Sequence, residues 1–294
     1  MKDFAYVAPT SVAEAVEVLS SRDGVKMLAG GTDIIVQIRE GQRDADVVLD
    51  IKKVPELMDV SWNGGLHLGA AVPCYKVYGD PKIAAAYPAL ADSSRIIGGW
   101  QIQGRASVGG NLCNSSPAAD TVPSLIACGA TCHIAGPKGT RTVPVAEFCT
   151  APGRNVLERG ELLIKLEFPP LESHTGSHYL RFIPRNEMDI AVVGAGAWLR
   201  LCDDTAGGDK VEEARIGLAA VAPTPLAAKE AGDWLKGKPA TEENFAQAGE
   251  LAKKVASPIT DMRGPAPYRV HLVGVLTRRA LSKALARAQQ NNGN

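Results

Sequence analysis

Two glycine pairs carry the chemistry that is legible in this chain. Gly30-Gly31 sits in MLAGGTDIIVQIREG, and Gly109-Gly110 in ASVGGNLCNSSPAADTVP, Ala106 to Pro123. Backbone without Cβ atoms approaches a ligand closely, and successive N–H groups in a turn form a concave anion site. The second stretch adds the polar side chains of Ser107, Asn111, Asn114 and Asp120. It reads as a turn running into an apolar helix from Thr121 to Cys128. Two such turns in one domain suit a ligand with two phosphates, a dinucleotide. Asp120 can serve that ligand, or cap the helix that follows, or do both.

The elements around them are readable from pattern. Val25 to Ala29 is a buried strand. After the first glycine pair, Thr32 or Asp33 caps a helix with Ile34, Ile35 and Ile38 on one side. Strand, glycine turn and helix N-terminus together hold phosphate. The residues spell neither GxGxxG nor GxxxxGK[ST], so neither a Rossmann nor a P-loop label applies. Upstream, Ser11 caps a helix with Glu14 as its capping-box partner and Val12, Ala15, Val16 and Leu19 as its stripe. Asp46 to Ile51 is a further strand. Leu57–Trp62 pairs with Leu66–Ala71 across Asn63-Gly64-Gly65, and Thr131–Ala135 pairs with Thr140–Val143. Pro73 opens a short helix, and Pro88–Ile97 is a helix stopped by Gly98-Gly99. Leu162 to Phe168 is a strand.

Polar Leu171 to Ser177 reads as a domain boundary, dividing the chain into 1–175 and 176–294. Beyond it, Tyr179–Ile183, Ile190–Cys202 and Val211–Val221 read as three longer strands. Ala191, Gly194, Ala195, Gly196 and Ala197 predict tight packing on helices. Pro225–Leu235, Thr241–Ala256 and Pro267–Gln289 are helices, and the tail NNGN should fray. A meander followed by helices makes the second half α+β.

Composition narrows the function classes. Lys+Arg and Asp+Glu both number 32, and this balance disfavours nucleic acid or an anionic membrane as principal partner. It also removes one brake on self-association, as suits a subunit of a complex. No window reaches the roughly 20 apolar residues of a membrane helix, and MKDFAYVAPTS lacks the core of a secretory leader. The six cysteines, Cys74, Cys113, Cys128, Cys132, Cys149 and Cys202, include no CxxC pair and read as free thiols of a reducing cytoplasm. They form no metal ligand set. The five histidines show no ligand spacing.

With both glycine turns placed, the sequence resembles a known family. AGGTD, then ASVGGNLCNSSPAAD, then a strand ending EFP resemble the medium, FAD-binding subunit of the molybdenum hydroxylases: the xanthine dehydrogenase, aerobic carbon monoxide dehydrogenase and 4-hydroxybenzoyl-CoA reductase relatives. RFIPRNEMDIAVVGAGAWL, ARIGLAAVAPTP and PITDMRGPAPYRVHLVGVLTRRAL resemble that family's C-terminal domain, so the likeness spans about residues 1 to 285. The fold it implies is α+β. A vanillyl-alcohol-oxidase (PCMH)-type FAD-binding domain of two α/β subdomains precedes a C-terminal three-stranded antiparallel sheet with helices. The implied role is an electron-transfer subunit, with FAD as this chain's cofactor. A small subunit with [2Fe-2S] clusters and a large molybdopterin subunit would be its partners, in a dimer of heterotrimers. Electrons would pass to an external acceptor such as NAD+.

The resemblance also implies site residues. Met27, Leu28, Ala29, Gly30, Gly31, Thr32, Asp33 and Ile34 would wrap the pyrophosphate. Ser107, Val108, Gly109, Gly110 and Asn111 would form the second phosphate turn, with Asn114 beside it. Asp120 would meet the ribityl or flavin end, and Ile97 and Leu163 would pack on the cofactor. Arg181 occupies the place of a lysine that many relatives hold near the flavin pyrimidine, where a cation stabilises the reduced ring. The loop Arg185 to Asp189 would lie beside the flavin, and Asp189 would also partner Arg185 or Arg181. Asp261 and Arg263 read as a structural turn. GGTD in place of GGHS, and no cysteine-bearing insertion, favour a xanthine- or aldehyde-type complex. Two other readings stay open on the residues: a self-sufficient flavin oxidase or reductase, and a non-catalytic subunit with purely structural glycine turns.

Overall fold

The computed structural model describes residues 2–202 and 209–291; the end of the NNGN tail lies outside them. Its strands are β1 Ala5–Val7, β2 Val25–Leu28, β3 Val47–Asp50, β4 Val60–Trp62, β5 Leu66–Gly69, β6 Thr131–Gly136, β7 Gly139–Pro144, β8 Cys149–Ala151, β9 Arg154–Asn155, β10 Leu162–Glu167, β11 Thr175–Phe182, β12 Val193–Leu201, β13 Val211–Ala219 and β14 Leu226–Ala227. Its helices are α1 Val12–Ser21, α2 Ile34–Arg39, α3 Pro55–Met58, α4 Cys74–Gly79, α5 Pro81–Ala86, α6 Pro88–Ser94, α7 Trp100–Gln103, α8 Val108–Asn114, α9 Thr121–Ala127, α10 Val145–Phe148, α11 Lys229–Leu235, α12 Glu242–Lys253 and α13 Ala266–Gln290. None is long and apolar enough to cross a membrane.

Three sheets organise these elements. The first is parallel, in the order β1-β3-β2. Parallel neighbours need crossover connections, and α2 supplies the one between β2 and β3. Its strands are short and face helices on both sides. Leu49, Val25 and Met27 turn toward α1, while Leu28 and Val48 turn toward α2. Ser11 caps α1 by accepting from the Glu14 N–H, as the sequence predicts; Glu14 in turn accepts from Thr10. The second sheet runs β4-β5-β10-β6-β7 and covers a core of Leu66, Leu90, Leu112, Leu125, Phe148 and Phe168. The third is the antiparallel meander β11-β12-β13 with the two-residue β14 added. Its own core faces α11, α12 and α13.

Boundaries shift where local chemistry competes with pattern. Leu57 is helical rather than the start of a strand, because Pro55 at the first helical position presets that turn. Helix α6 stops at Ser94, short of the glycines. The largest difference is at Ser107–Asn114. This is no open turn but helix α8, with Ser107 as N-cap accepting from the Gly110 N–H, closed by Ser115 at φ 52.

The small residues of β12 do pack tightly, and the partner is α9. A Cβ at Gly196 would sit 2.7 Å from the Pro123 carbonyl oxygen, and one at its register neighbour Gly217 would also run into that carbonyl. Helix α9 therefore belongs to two cores, that of the second sheet and the face of the third. Asp92 on α6 ties the same junction: Arg287 of α13 donates to both its oxygens, at 2.6 and 3.0 Å, and to the Ser177 carbonyl.

Inside the C-terminal part, Arg269 is buried. It donates to the carbonyls of Val192, Ala220 and Gly264 and to Asp261 Oδ1. This makes Asp261 structural, as its turn predicts. Arg269→Met leaves three carbonyls and a carboxylate without their donor. It should cost roughly 3 kcal/mol of unfolding free energy, read from denaturant midpoints against the wild type.

Candidate functional site

One large cleft, about 840 Å³, opens between the first two sheets, within the usual range for a cofactor site. The two glycine segments face each other across it. A Cβ at Gly30 would run into the Arg105 carbonyl, just ahead of α8. A Cβ at Gly110 would point toward Ala29, at 4.0 Å, and meet Ser107 Oγ at 2.9 Å. Gly109 has a different reason: its Cβ position is taken by Ala70, 2.5 Å from that carbonyl oxygen. Gly31 adopts φ +82, which a side chain resists. Gly30 and Gly110 thus shape the cleft, while Gly109 seats α8 on the scaffold.

Most residues singled out from sequence meet here. Met27 and residues 29–34 line the cleft, as do Ser107, Gly109, Gly110, Asn111 and Asn114, and Ile97, Asp120 and Leu163. Three do not. Leu28 packs beneath α2 and Val108 lies in the core of the second sheet. Arg181 stands behind the wall, 7% exposed, with Nη1 donating to Asp120 Oδ2 at 2.6 Å. Asp120, which does line the cleft, thus stands between it and Arg181.

Several of these side chains already have structural partners. Asn111 Oδ1 accepts from the N–H and the hydroxyl of Thr121. It therefore caps α9 from α8, and Asp120 makes no side-chain cap. Neither does Asp33 for α2. Asn114 Oδ1 accepts from Gln37 of α2 at 3.4 Å, a bridge between the two glycine segments. Asp189 pairs with Arg185, not Arg181, and lines the cleft beside Ile190.

A charged anchor fixes the first segment. Lys52 Nζ donates to the Ala29 carbonyl at 2.8 Å and to Asp50 Oδ1 at 2.6 Å. Tyr6 donates to the other oxygen of Asp50. Burial alone would push the Asp50 carboxyl up, but the Lys52 and Tyr6 hydrogen bonds outweigh it and hold the group below its usual value. At the opposite wall burial wins. Asp120 is raised by desolvation against the opposing pull of Arg181 and Tyr179, and the Tyr179 phenol is itself pushed well above its usual range. The one cysteine in the cleft, Cys113, is driven by burial to about 12, too high for a thiolate nucleophile at neutral pH.

The far arm of the cleft was not legible from motifs. Gly24 to Lys26 form one side of it, and Arg43 and the hairpin around Gly153, continuing to Glu161, form the other. Arg159 pairs with Asp23 at 2.8 Å. The charged groups of Arg22, Lys26 and Arg43 line this arm without an ion pair among the described residues. One signal was available: Lys26 alternates with inward Val25 and Met27 on β2. Arg43 and Gly153 come together only through the fold.

Known proteins show the same organisation. Residues 2–171 match the family model described as the FAD binding domain in molybdopterin dehydrogenase, and residues 178–284 match the CO dehydrogenase flavoprotein C-terminal domain. The chain is 30% identical to the xanthine dehydrogenase FAD-binding subunit of Escherichia coli O157:H7 over 98% of both chains. It is 32% identical to the carbon monoxide dehydrogenase medium chain of Afipia carboxidovorans, over 97% of this chain and 98% of that one. A solved carbon monoxide dehydrogenase from Hydrogenophaga pseudoflava superposes with a TM-score of 0.91 at 31% identity, covering 97% and 98% of the two chains.

The Lys52 anchor has a pH signature. The folded-state pKa of Asp50 is lowered, so its contribution is complete above the unfolded value of about 4 and is lost as pH falls through the folded value. Denaturation between pH 3 and 7 should show wild-type stability falling more steeply below about pH 4 than that of Asp50→Asn.

Proposed function

Because this chain belongs to the molybdenum hydroxylase family as its FAD-binding medium subunit, we propose that it works as an electron-transfer module of a multisubunit complex. Electrons pass between the [2Fe-2S] clusters of a small subunit and an external acceptor such as NAD+, with a large molybdopterin subunit acting on the substrate. The complex is a dimer of heterotrimers in the cytoplasm. Residues 1–175 form the FAD-binding domain and 176–294 the C-terminal domain. The observation that carries this reading is the pair of glycine segments facing each other across one cleft.

FAD fits that cleft in one orientation. Its diphosphate lies along Gly30-Gly31 and Gly110, where bare backbone lines the cleft and can come close. Its ring end meets Ile97, Leu163 and Asp120, the apolar wall with the buried carboxylate. Its adenosine end runs into the far arm, which Arg22, Lys26 and Arg43 line. When bound, the flavin supplies the electron-accepting and electron-donating chemistry. The chain's side chains then need no nucleophile or general acid. Lys52 holds the Ala29 carbonyl, Asn111 seats α9, and the apolar wall excludes water.

The decisive test is the absorption spectrum of the purified complex before and after acid precipitation. A flavin band released to the supernatant, with iron–sulfur absorbance in co-purifying chains, is the expected result. A yellow chain that turns over an organic substrate without partners would make it a self-sufficient flavoenzyme instead. A colourless chain indifferent to added FAD would overturn both.

Gly110→Val places two methyl groups in the phosphate path. Overpacking of about 1–3 kcal/mol should weaken FAD binding roughly 10- to 100-fold, measured by flavin fluorescence titration of the apoprotein. Unchanged affinity would remove Gly110 from the site.

A further inference from the structure

Asp120, Tyr179 and Arg181 form one buried unit with a single face on the cleft. Asp120 Oδ1 accepts from the Tyr179 hydroxyl at 2.8 Å, and Oδ2 accepts from Arg181 Nη1 at 2.6 Å. The carboxylate side chain is 11% exposed and the guanidinium 7%. Asp120 lines the cleft; Tyr179 and Arg181 do not. Both donors come from β11, on the strand face that turns toward α6 and α9, where the Ser177 hydroxyl also accepts from the Ala89 N–H. Asp120 makes no helix cap that would otherwise account for it.

This arrangement changes what the arginine can do. A free cation at the cleft wall would add a full positive charge beside a bound ring. Here that charge is spent on the carboxylate, and the pair presents no net charge. Tyr179 adds a second donor, so both oxygens are held in fixed directions. We propose that Arg181 is a positioning residue that acts on the cofactor only through Asp120. With Tyr179 it fixes the direction and charge of that carboxylate, and it makes no contact with the flavin. The proposal rests on the reading that FAD occupies the cleft.

Two readouts on the FAD-loaded protein at pH 8 test it: the FAD dissociation constant and the midpoint potential of the bound flavin. Arg181→Met should raise the dissociation constant about tenfold, since a charged hydrogen bond is worth roughly 1.5 kcal/mol. Asp120→Asn should do at least as much. The double variant should bind no more weakly than Asp120→Asn alone. A further tenfold loss in the double variant would mean that Arg181 touches the cofactor, overturning the proposal.

The potential separates charge from mere folding. Arg181→Met unmasks the carboxylate and should lower it, because nearby negative charge opposes added electrons. Asp120→Asn unmasks the arginine and should raise it, and the double variant should return to the wild-type value. Arg181→Lys should recover most of the binding. If Arg181→Met fails to fold, Arg181→Gln keeps a hydrogen-bond donor toward the carboxylate and removes only the charge; an unchanged potential in that variant overturns the proposal. A wild-type protein that takes up no FAD would sink the cofactor reading itself, a distinct outcome.

Discussion

The site depends on how closely one helix can lie on one sheet. Helix α9 rests its Pro123 carbonyl on the floor left by Gly196 and Gly217, neighbours in register on β12 and β13. A side chain at either position would lift the helix. Asp120 stands immediately before that helix, so its height over the sheet sets whether Tyr179 and Arg181 can reach both carboxylate oxygens. A packing constraint remote from the cleft thereby decides the position of the one charged group on its apolar wall. Glycine acts here through absence of volume rather than through unusual backbone angles.

The two ends of the cleft are stabilised by opposite electrostatic arrangements. At the first glycine segment, Lys52 grips a backbone carbonyl, Asp50 grips the lysine and Tyr6 holds the other oxygen of Asp50. The charges serve the backbone, whose groups do the binding. At the far wall, backbone and helix position a carboxylate, and a second pair of side chains manages its charge. In both cases no residue that faces the ligand is left to hold itself in place. Such support from behind is what keeps a binding geometry within narrow limits.

Sequence reasoning reached the first of these arrangements more readily than the second. The glycine pairs and the strand ahead of the first could be read because backbone requirements are local. Helix α8 could not: two glycines lower helix propensity, and only the Ser107 cap and the seat on Ala70 make up for it. Leu28 and Val108, expected at the site from the family resemblance, turn their side chains inward by strand and helix periodicity. Arg181, expected at the site, stands behind Asp120. Its parity with Tyr179 on β11 was visible, whereas the carboxylate 61 residues earlier that receives both was not. The far arm lay hidden for the same reason, since Arg43 and Gly153 meet only in the folded chain.

The clamp between Asp92 and Arg287 joins residues 195 positions apart. Chain synthesis proceeds from the N-terminus, so every glycine of the cleft emerges long before the arginine that locks β11 beside it. The first two sheets can assemble early, while the carboxylate unit waits for α13. A nascent chain therefore carries both glycine segments of the cleft before it carries a finished wall, whose completion is timed by the last helix.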